Sequence, residues 1–263
     1  MLNFCSLFSS SDGNCLLAQS EDTNLLIDAG VSGKKIEEAL ESIHIPIEKI
    51  DAILVTHEHI DHIRSLGTIS KKYHIPVYAN EKTWNAMPEQ KKKIAEENQK
   101  LFCIENEFEI GNFKVFPFSI PHDAADPCGF NLCCNGKKLS IATDLGHIPP
   151  HIFHLLESSS FIMLESNYDK EVLRCCSYPY SLKKRIDGPN GHLSNTVAGQ
   201  TVSKLIHSGL EGAMLGHLSK ESNFPDLAYK TVLEELNAHH YSEKIIHLNV
   251  ADRLKPSKLI HIA

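Results

Sequence analysis

The chain has 263 residues, 42% of them hydrophobic, and a formal net charge of −7. That length and apolar content fit one domain with a substantial core. The negative charge argues against a protein that coats nucleic acid by bulk electrostatics, although an enzyme of phosphodiesters needs only a local basic path.

The N-terminus lacks a basic segment followed by an apolar stretch and a cleavage site, and no window reaches about 18 consecutive apolar residues. We therefore expect a cytoplasmic protein with no membrane contact. Phe4–Leu7, Asn14–Ala18 and Asn24–Ile27 read as short strands separated by the polar turns Ser9–Gly13 and Glu21–Thr23. Asp28 follows the third strand, where it suits a turn cap or a group that orients a metal ligand. Lys34–Ile43 has helical periodicity. The apolar run Ala52-Ile53-Leu54-Val55 reads as a buried strand, and it ends at Thr56-His57-Glu58-His59-Ile60-Asp61-His62. His57 and His59 can turn toward one ion while Asp61 and His62 reach a second, a spacing that suits a two-metal site. Sixteen histidines in the chain strengthen a metal argument.

The pattern His-x-His-x-Asp-His resembles the signature of the metallo-β-lactamase superfamily. The resemblance implies an α/β four-layer αβ/βα sandwich with a binuclear metal site along one edge, and three further ligands downstream. Beyond the motif, Ile63–Tyr73 reads as a helix, Pro76–Ala79 as a strand and Glu81–Glu97 as a lysine-rich helix. Leu101–Ile104, Phe108–Ile110 and Phe113–Ser119 resume the strand pattern, with a hairpin turn at Gly111-Asn112. Ile120-Pro121-His122-Asp123 follows. His122 is favoured over its rival Asp123 as the third imidazole for the ion of His57 and His59, since three histidines with an open position recur in catalytic zinc sites.

Gly129–Cys134, the turn Asn135-Gly136 and Lys138–Thr143 form a hairpin that ends at Asp144. This carboxylate suits a bridge between two ions; its alternative is a cap for the helix after Pro149-Pro150. His147, His151 and His154 read as surface residues. The strand Phe161–Leu164 ends at Glu165. Gly191-His192-Leu193-Ser194-Asn195 opens a helix over Thr196–His207, whose first amides suit a phosphate oxygen, with Lys183-Lys184-Arg185 just before it. Gly212–Gly216 then places His217 at a strand end, as Ile53–Val55 places His57, which suggests two similar halves. His217 completes a second shell with Asp61, His62 and Asp144; alone it would read as a core histidine. A helix over Pro225–Asn237 and closing strands over Lys244–Leu248 and Leu259–Ile262 finish the chain. The cysteines, including the adjacent pairs Cys133-Cys134 and Cys175-Cys176, form no C-x-x-C and read as reduced thiols.

Gly191-His192-Leu193-Ser194 and Leu215-Gly216-His217-Leu218-Ser219 are similar to the final motifs of the nucleic-acid-processing branch of the superfamily, and the whole chain resembles small metallo-hydrolases of the WalJ (YycJ) type, regarded as 5′→3′ DNA exonucleases. The loop Ser9–Asn14 departs from the glycine-richer loop of that branch. The 22 positions from His122 to Asp144 leave no room for the tRNA-gripping arm of tRNase Z, and the 73 from Asp144 to His217 none for a β-CASP cap domain. The resemblance implies a DNA substrate and two divalent ions, zinc or manganese. Asp61 would orient the attacking hydroxide, and His192, steadied by Glu165, would bind a phosphoryl oxygen or protonate the leaving alkoxide. Alternatives are a thioester or lactone hydrolase of the same fold and an inactive regulatory protein that kept it.

Overall fold

The computed structural model describes residues 1–239, 241 and 246–262. The chain opens with the antiparallel strands β1 (Leu2–Phe8), β2 (Cys15–Gln19) and β3 (Asn24–Ile27), then helix α1 (Gly33–Ser42) and strand β4 (Ala52–Leu54). Helices α2 (Ile60–Ile63) and α3 (Leu66–Tyr73), strand β5 (Val77–Ala79), helices α4 (Glu81–Ala86) and α5 (Pro88–Lys91) and strand β6 (Gln99–Leu101) follow. The second half runs β7 (Phe108–Ile110), β8 (Phe113–Ser119), β9 (Cys128–Cys134), β10 (Lys137–Ala142), α6 (Pro150–Leu156) and β11 (Phe161–Glu165). It closes with α7 (Lys170–Cys175), α8 (Tyr180–Ile186), α9 (Asn195–Ile206), β12 (Gly212–Gly216), α10 (Pro225–Ala238), β13 (His247–Val250) and β14 (Ile260–Ile262).

Among the described residues these strands form two seven-stranded sheets, ordered β14-β1-β2-β3-β4-β5-β6 and β13-β12-β11-β10-β9-β8-β7. Alternation along each strand decides the layers, because neighbouring side chains point to opposite faces. Leu25, Ile27 and Leu54 of the first sheet meet Ile141, Phe161 and Met163 of the second in one buried core, with the Phe4 and Phe161 rings 5.6 Å apart. Leu26 and Ile53 face outward onto Ile36 and Leu40 of α1 and Leu66 and Ile69 of α3. On the far side Ile162, Leu164, Ala213 and Leu215 pack under α6, α9 and α10. Helices thus cover both outer faces, and the expected four-layer αβ/βα sandwich is observed. The expected hairpins are present at Gly111 and at Asn135-Gly136, where both central residues have positive φ (51° and 75°) as a type I′ turn requires. All eight cysteines are free thiols, and no helix of the described residues is long and apolar enough to cross a membrane.

Three expectations need correction. The helix over Glu81–Glu97 breaks at Met87-Pro88, since proline disfavours helical geometry in the residue before it, and the chain turns after α5. The helix over Ile63–Tyr73 is divided at Ser65, whose amide donates to Ala29 O at 3.0 Å. The strand over Leu101–Ile104 lies instead at Gln99–Leu101, where parallel pairing with β5 sets the register and leaves Leu101 exposed. Of the expected closing strand Lys244–Leu248, Lys244 and Ile245 fall outside the described residues. Helices α7 and α8 were not expected as elements.

Candidate metal centre

The carboxyl ends of the inner strands β3, β4, β10, β11 and β12 converge on one edge of the sandwich, the place where open α/β sheets bind ligands. Asp28 and His217 follow a strand directly and Asp144 follows one after Thr143, and all three adopt the left-handed backbone, with φ of 64°, 55° and 59°. For a side chain other than glycine that conformation costs on the order of 1–3 kcal/mol. It turns the chain sharply, so the strand-end side chain aims into the cleft rather than along the sheet.

His57 Nε2 lies 3.1 Å from His59 Nδ1, and His122 Nε2 lies 3.4 Å from the same atom. Beside them, Asp61 Oδ2 is 3.5 Å from His62 Nε2 and 3.6 Å from His217 Nε2. Asp144 stands between the two groups: Oδ2 is 3.2 Å from His62 Nε2, and Oδ1 is 3.4 Å from His217 Nε2 and 3.7 Å from His122 Nε2. The structure therefore brings together all seven residues expected as ligands. Donors about 2.0–2.1 Å from a tetrahedral ion stand roughly 3.3 Å from one another, which matches these spacings. Asp144 Oδ2 and His217 Nε2 are buried without a hydrogen bond among the described residues.

Each buried imidazole is anchored through its other nitrogen. His62 Nδ1 donates to Asp28 Oδ2 at 2.7 Å and His217 Nδ1 to Glu165 Oε1 at 2.7 Å. His122 Nδ1 donates to Gly191 O at 3.2 Å, and His57 Nδ1 to Thr56 Oγ1 at 3.0 Å. Thr56 Oγ1 in turn donates to Asp28 Oδ2 at 2.8 Å, so one carboxylate fixes the tautomers of His57 and His62 together. Such outer partners orient metal-ligating histidines. Asp28→Asn keeps the left-handed turn, which asparagine tolerates, but removes the charged acceptor. We expect it to weaken metal affinity by about 10–100-fold in a competitive chelator titration, and an unchanged affinity would disprove the orienting role.

Electrostatics separate the two groups. Burial, reinforced by the neighbouring His62, pushes His57 well below the usual imidazole range, and burial likewise lowers His122. Burial would also discharge His217, but Asp144, Asp61 and Glu165 outweigh it and push this imidazole up to about 10. His62 is raised against burial by Asp144 and Asp28. Burial opposes ionisation of Asp61 too, yet His217 and His62 hold its carboxyl far below the usual range. The second group is thus lined by carboxylates and calls for a cation, while in the first group burial keeps the His57 and His122 nitrogens neutral. Both fit divalent metal ions.

Glu165 and His192 lie beside these seven residues and, with Asp144 and His217, form a further cluster close enough to hold an ion. Glu165 Oε1 accepts from His192 Nδ1 at 2.8 Å and from His217, while Oε2 accepts from the amides of Leu145 (3.1 Å) and Leu193 (2.9 Å). Four donors fill its acceptor capacity, and despite burial these histidines lower its pKa to about 2. Asp123, the rival of His122, has Oδ1 3.5 Å from His122 Nε2 but is engaged elsewhere, since Arg185 donates to its two oxygens at 2.5 and 3.0 Å. Arg185 is thereby withdrawn from the expected basic approach. The first amides of α9 are also occupied: Asn195 N donates to Tyr168 O, and Val197 N to the capping Ser194 Oγ. No phosphate site remains at those two amides. Asp144 does not cap α6, where Pro149 holds the cap position, and His147, His151 and His154 are exposed.

Sequence reasoning missed Thr56 as a relay, Asn167 and Ser9. Asn167 Nδ2 donates to His217 O at 2.7 Å, and Ser9 Oγ accepts from His217 N at 2.8 Å. Ser10 also bridges to Leu218, so the loop after β1 ties the two sheets together beside the centre. Polar residues next to a strand end were the available signal.

Known proteins share this fold. A family model described as the metallo-β-lactamase superfamily matches residues 11–204. The chain is 34% identical over 262 residues to exodeoxyribonuclease YycJ of Bacillus anthracis, covering 99% of each. It is 36% identical over 232 residues to exodeoxyribonuclease WalJ of Streptococcus pneumoniae serotype 2, covering 88% of this chain and 86% of that one. Among solved structures, the metallo-β-lactamase fold protein YhfI from Bacillus subtilis superimposes with a TM-score of 0.70 at 16% identity, over 98% of this chain and 99% of that one, a likeness of fold. With fold, relatives and family model in agreement, the chain belongs to the metallo-β-lactamase superfamily, and its histidine–carboxylate cleft has the donor set to hold divalent metal ions.

Proposed function

We propose that the protein is a two-metal phosphodiesterase that degrades DNA from the 5′ end, with zinc or manganese held by His57, His59 and His122 on one side and Asp61, His62 and His217 on the other. The observation that carries this proposal is Asp144, a single buried carboxylate set between the two donor groups. The two relatives named exodeoxyribonuclease support the nucleic-acid substrate. In this proposal the 263 residues work as one unit, with neither a tRNA-gripping arm nor an inserted cap domain.

Divalent ions supply a low-pKa water as nucleophile and neutralise charge on phosphoryl oxygens. The chain's own residues do the rest. Asp61, whose side chain is the part-exposed member of its group, orients the attacking water. His192, partly exposed and anchored through Nδ1, keeps Nε2 for the leaving oxygen. Glu165 holds His192 and His217 in one frame, so the leaving-group residue and a ligand share an anchor.

Duplex DNA labelled at either end tests the proposal with metal-defined protein. We expect the 5′ label to be released first as a mononucleotide and chelation to abolish release. Faster turnover of acyl-glutathione thioesters than of DNA would overturn it in favour of a thioester hydrolase.

A further inference from the structure

Helices α7 and α8, with the turn that follows them, enclose a cavity of about 530 Å³ that the metal centre does not use. This is within the range of roughly 300–1,000 Å³ for sites that take a small organic group. Tyr180 and Pro189 form part of its wall, and Lys170, Arg174, Lys183 and Lys184 surround it. Against these four cations stands one carboxylate, Asp187, which already accepts from Tyr168 OH. In a chain of net charge −7 this is a local reversal of sign.

The cations differ in their freedom. Arg174 is paired with Glu171 at 2.6 Å, and Lys183 Nζ donates to Arg174 O at 2.8 Å. Lys170 and Lys184 have no ion pair among the described residues. Tyr180 is 82% exposed, the largest exposure of any large hydrophobic side chain among them. An open aromatic ring beside unpaired lysines is the arrangement with which proteins hold single strands, the ring stacking on a base and the cations tracking phosphates. The position also fits. Arg185 ties α8 to Asp123, the neighbour of His122, and the turn through Pro189 runs into His192 three residues later.

We propose that this cavity is a nucleotide subsite: it takes one unstacked base of a single-stranded substrate segment against Tyr180, while Lys170 and Lys184 bind the adjoining phosphates. This rests on the assignment of the chain as a nucleic-acid phosphodiesterase. The charge pattern and the ring together favour a nucleic acid over an acidic protein, which would need no stacking platform.

Fluorescence anisotropy with a dye-labelled single-stranded phosphorothioate oligonucleotide, which resists cleavage, measures the subsite directly in the full chain. Tyr180→Ala should weaken binding by about 5- to 150-fold and Tyr180→Phe by less than about twofold, as loss of one stacked base requires. Lys170→Ala combined with Lys184→Ala should reduce the slope of log K against log salt by about 1.4, or about 0.7 for each phosphate contact. Lys35→Ala on α1 is the control. Both lysine and tyrosine positions are on the surface, so an unchanged Tm and metal content confirm that each variant is folded. Parent affinity in Tyr180→Ala, or a loss in Lys35→Ala equal to that of the lysine pair, overturns the subsite. A parent protein that hydrolyses bis-p-nitrophenyl phosphate while showing either result loses the subsite alone. A parent inert toward that ester and without oligonucleotide affinity loses the phosphodiesterase assignment as well.

Discussion

His192→Ala lowers the rate on DNA by about 10²–10⁴-fold, the range for general acid catalysis, and leaves the metal content unchanged. The expectation follows from how the ring is held. Nδ1 is engaged by Glu165 Oε1 at 2.8 Å, and the ring centroid stands 5.3 Å from those of both His122 and His217, between the two donor groups. A buried carboxylate behind Nδ1 fixes the orientation of the ring and leaves Nε2 as the nitrogen that can pass a proton to a departing alkoxide. Bis-p-nitrophenyl phosphate needs little protonation to depart, so the variant is rescued on it relative to DNA. The rival role is ligation, since Nδ1 also lies 3.8 Å from Asp144 Oδ1. Loss of an ion in the variant, or equal impairment on both substrates, assigns His192 to binding.

Asp144→Asn has a still wider effect: metal content falls from about two ions per chain to one or none, and activity is lost with it. Burial disfavours an ionised Asp144, yet His217, His62 and His122 together hold its carboxyl well below the usual range. Asparagine matches its size and tolerates the left-handed φ of 59°, so the variant removes charge while leaving the backbone in place. Asp144→Ala would add backbone strain of about 1–2 kcal/mol and confuse the two causes. His217→Ala, by contrast, empties only the group around Asp61 and leaves His57, His59 and His122 competent. Elemental analysis of the dialysed proteins checks both, and an Asn variant that retains two ions would show that Asp144 is not shared.

Which parts of this centre were legible depended on distance along the chain. His57, His59, Asp61 and His62 lie within six positions after a strand, so local spacing carried them. His122, Asp144 and His217 were legible because the resemblance implied three further ligands and each lies shortly after a strand-like apolar run. The Thr56–Asp28 relay joins positions 28 apart, and the capture of Asp123 by Arg185 joins positions 62 apart. Neither has a local signature. Helices α7 and α8, at six and seven residues, are too short for a period of 3.6 to stand out, and their shared apolar cluster of Tyr168, Leu173 and Ile186 exists only after folding. The register of β6 was decided by β5, not by its own residues.

The pairing of β14 with β1 has a consequence for biosynthesis. Leu2 faces Ile262 and Phe4 faces Ile260 in that ladder, and Ser257 N donates to Ser6 O at 2.8 Å. At a translation rate of about 5–20 residues per second, the first strand waits roughly 13–50 s for its neighbour, with an open edge that other nascent chains could join. His217, too, is made 160 residues after His57. Until His217 has been made the hydrolytic cleft is therefore incomplete, and a nascent chain that already carries His57, His59, Asp61 and His62 cannot yet close the second donor group.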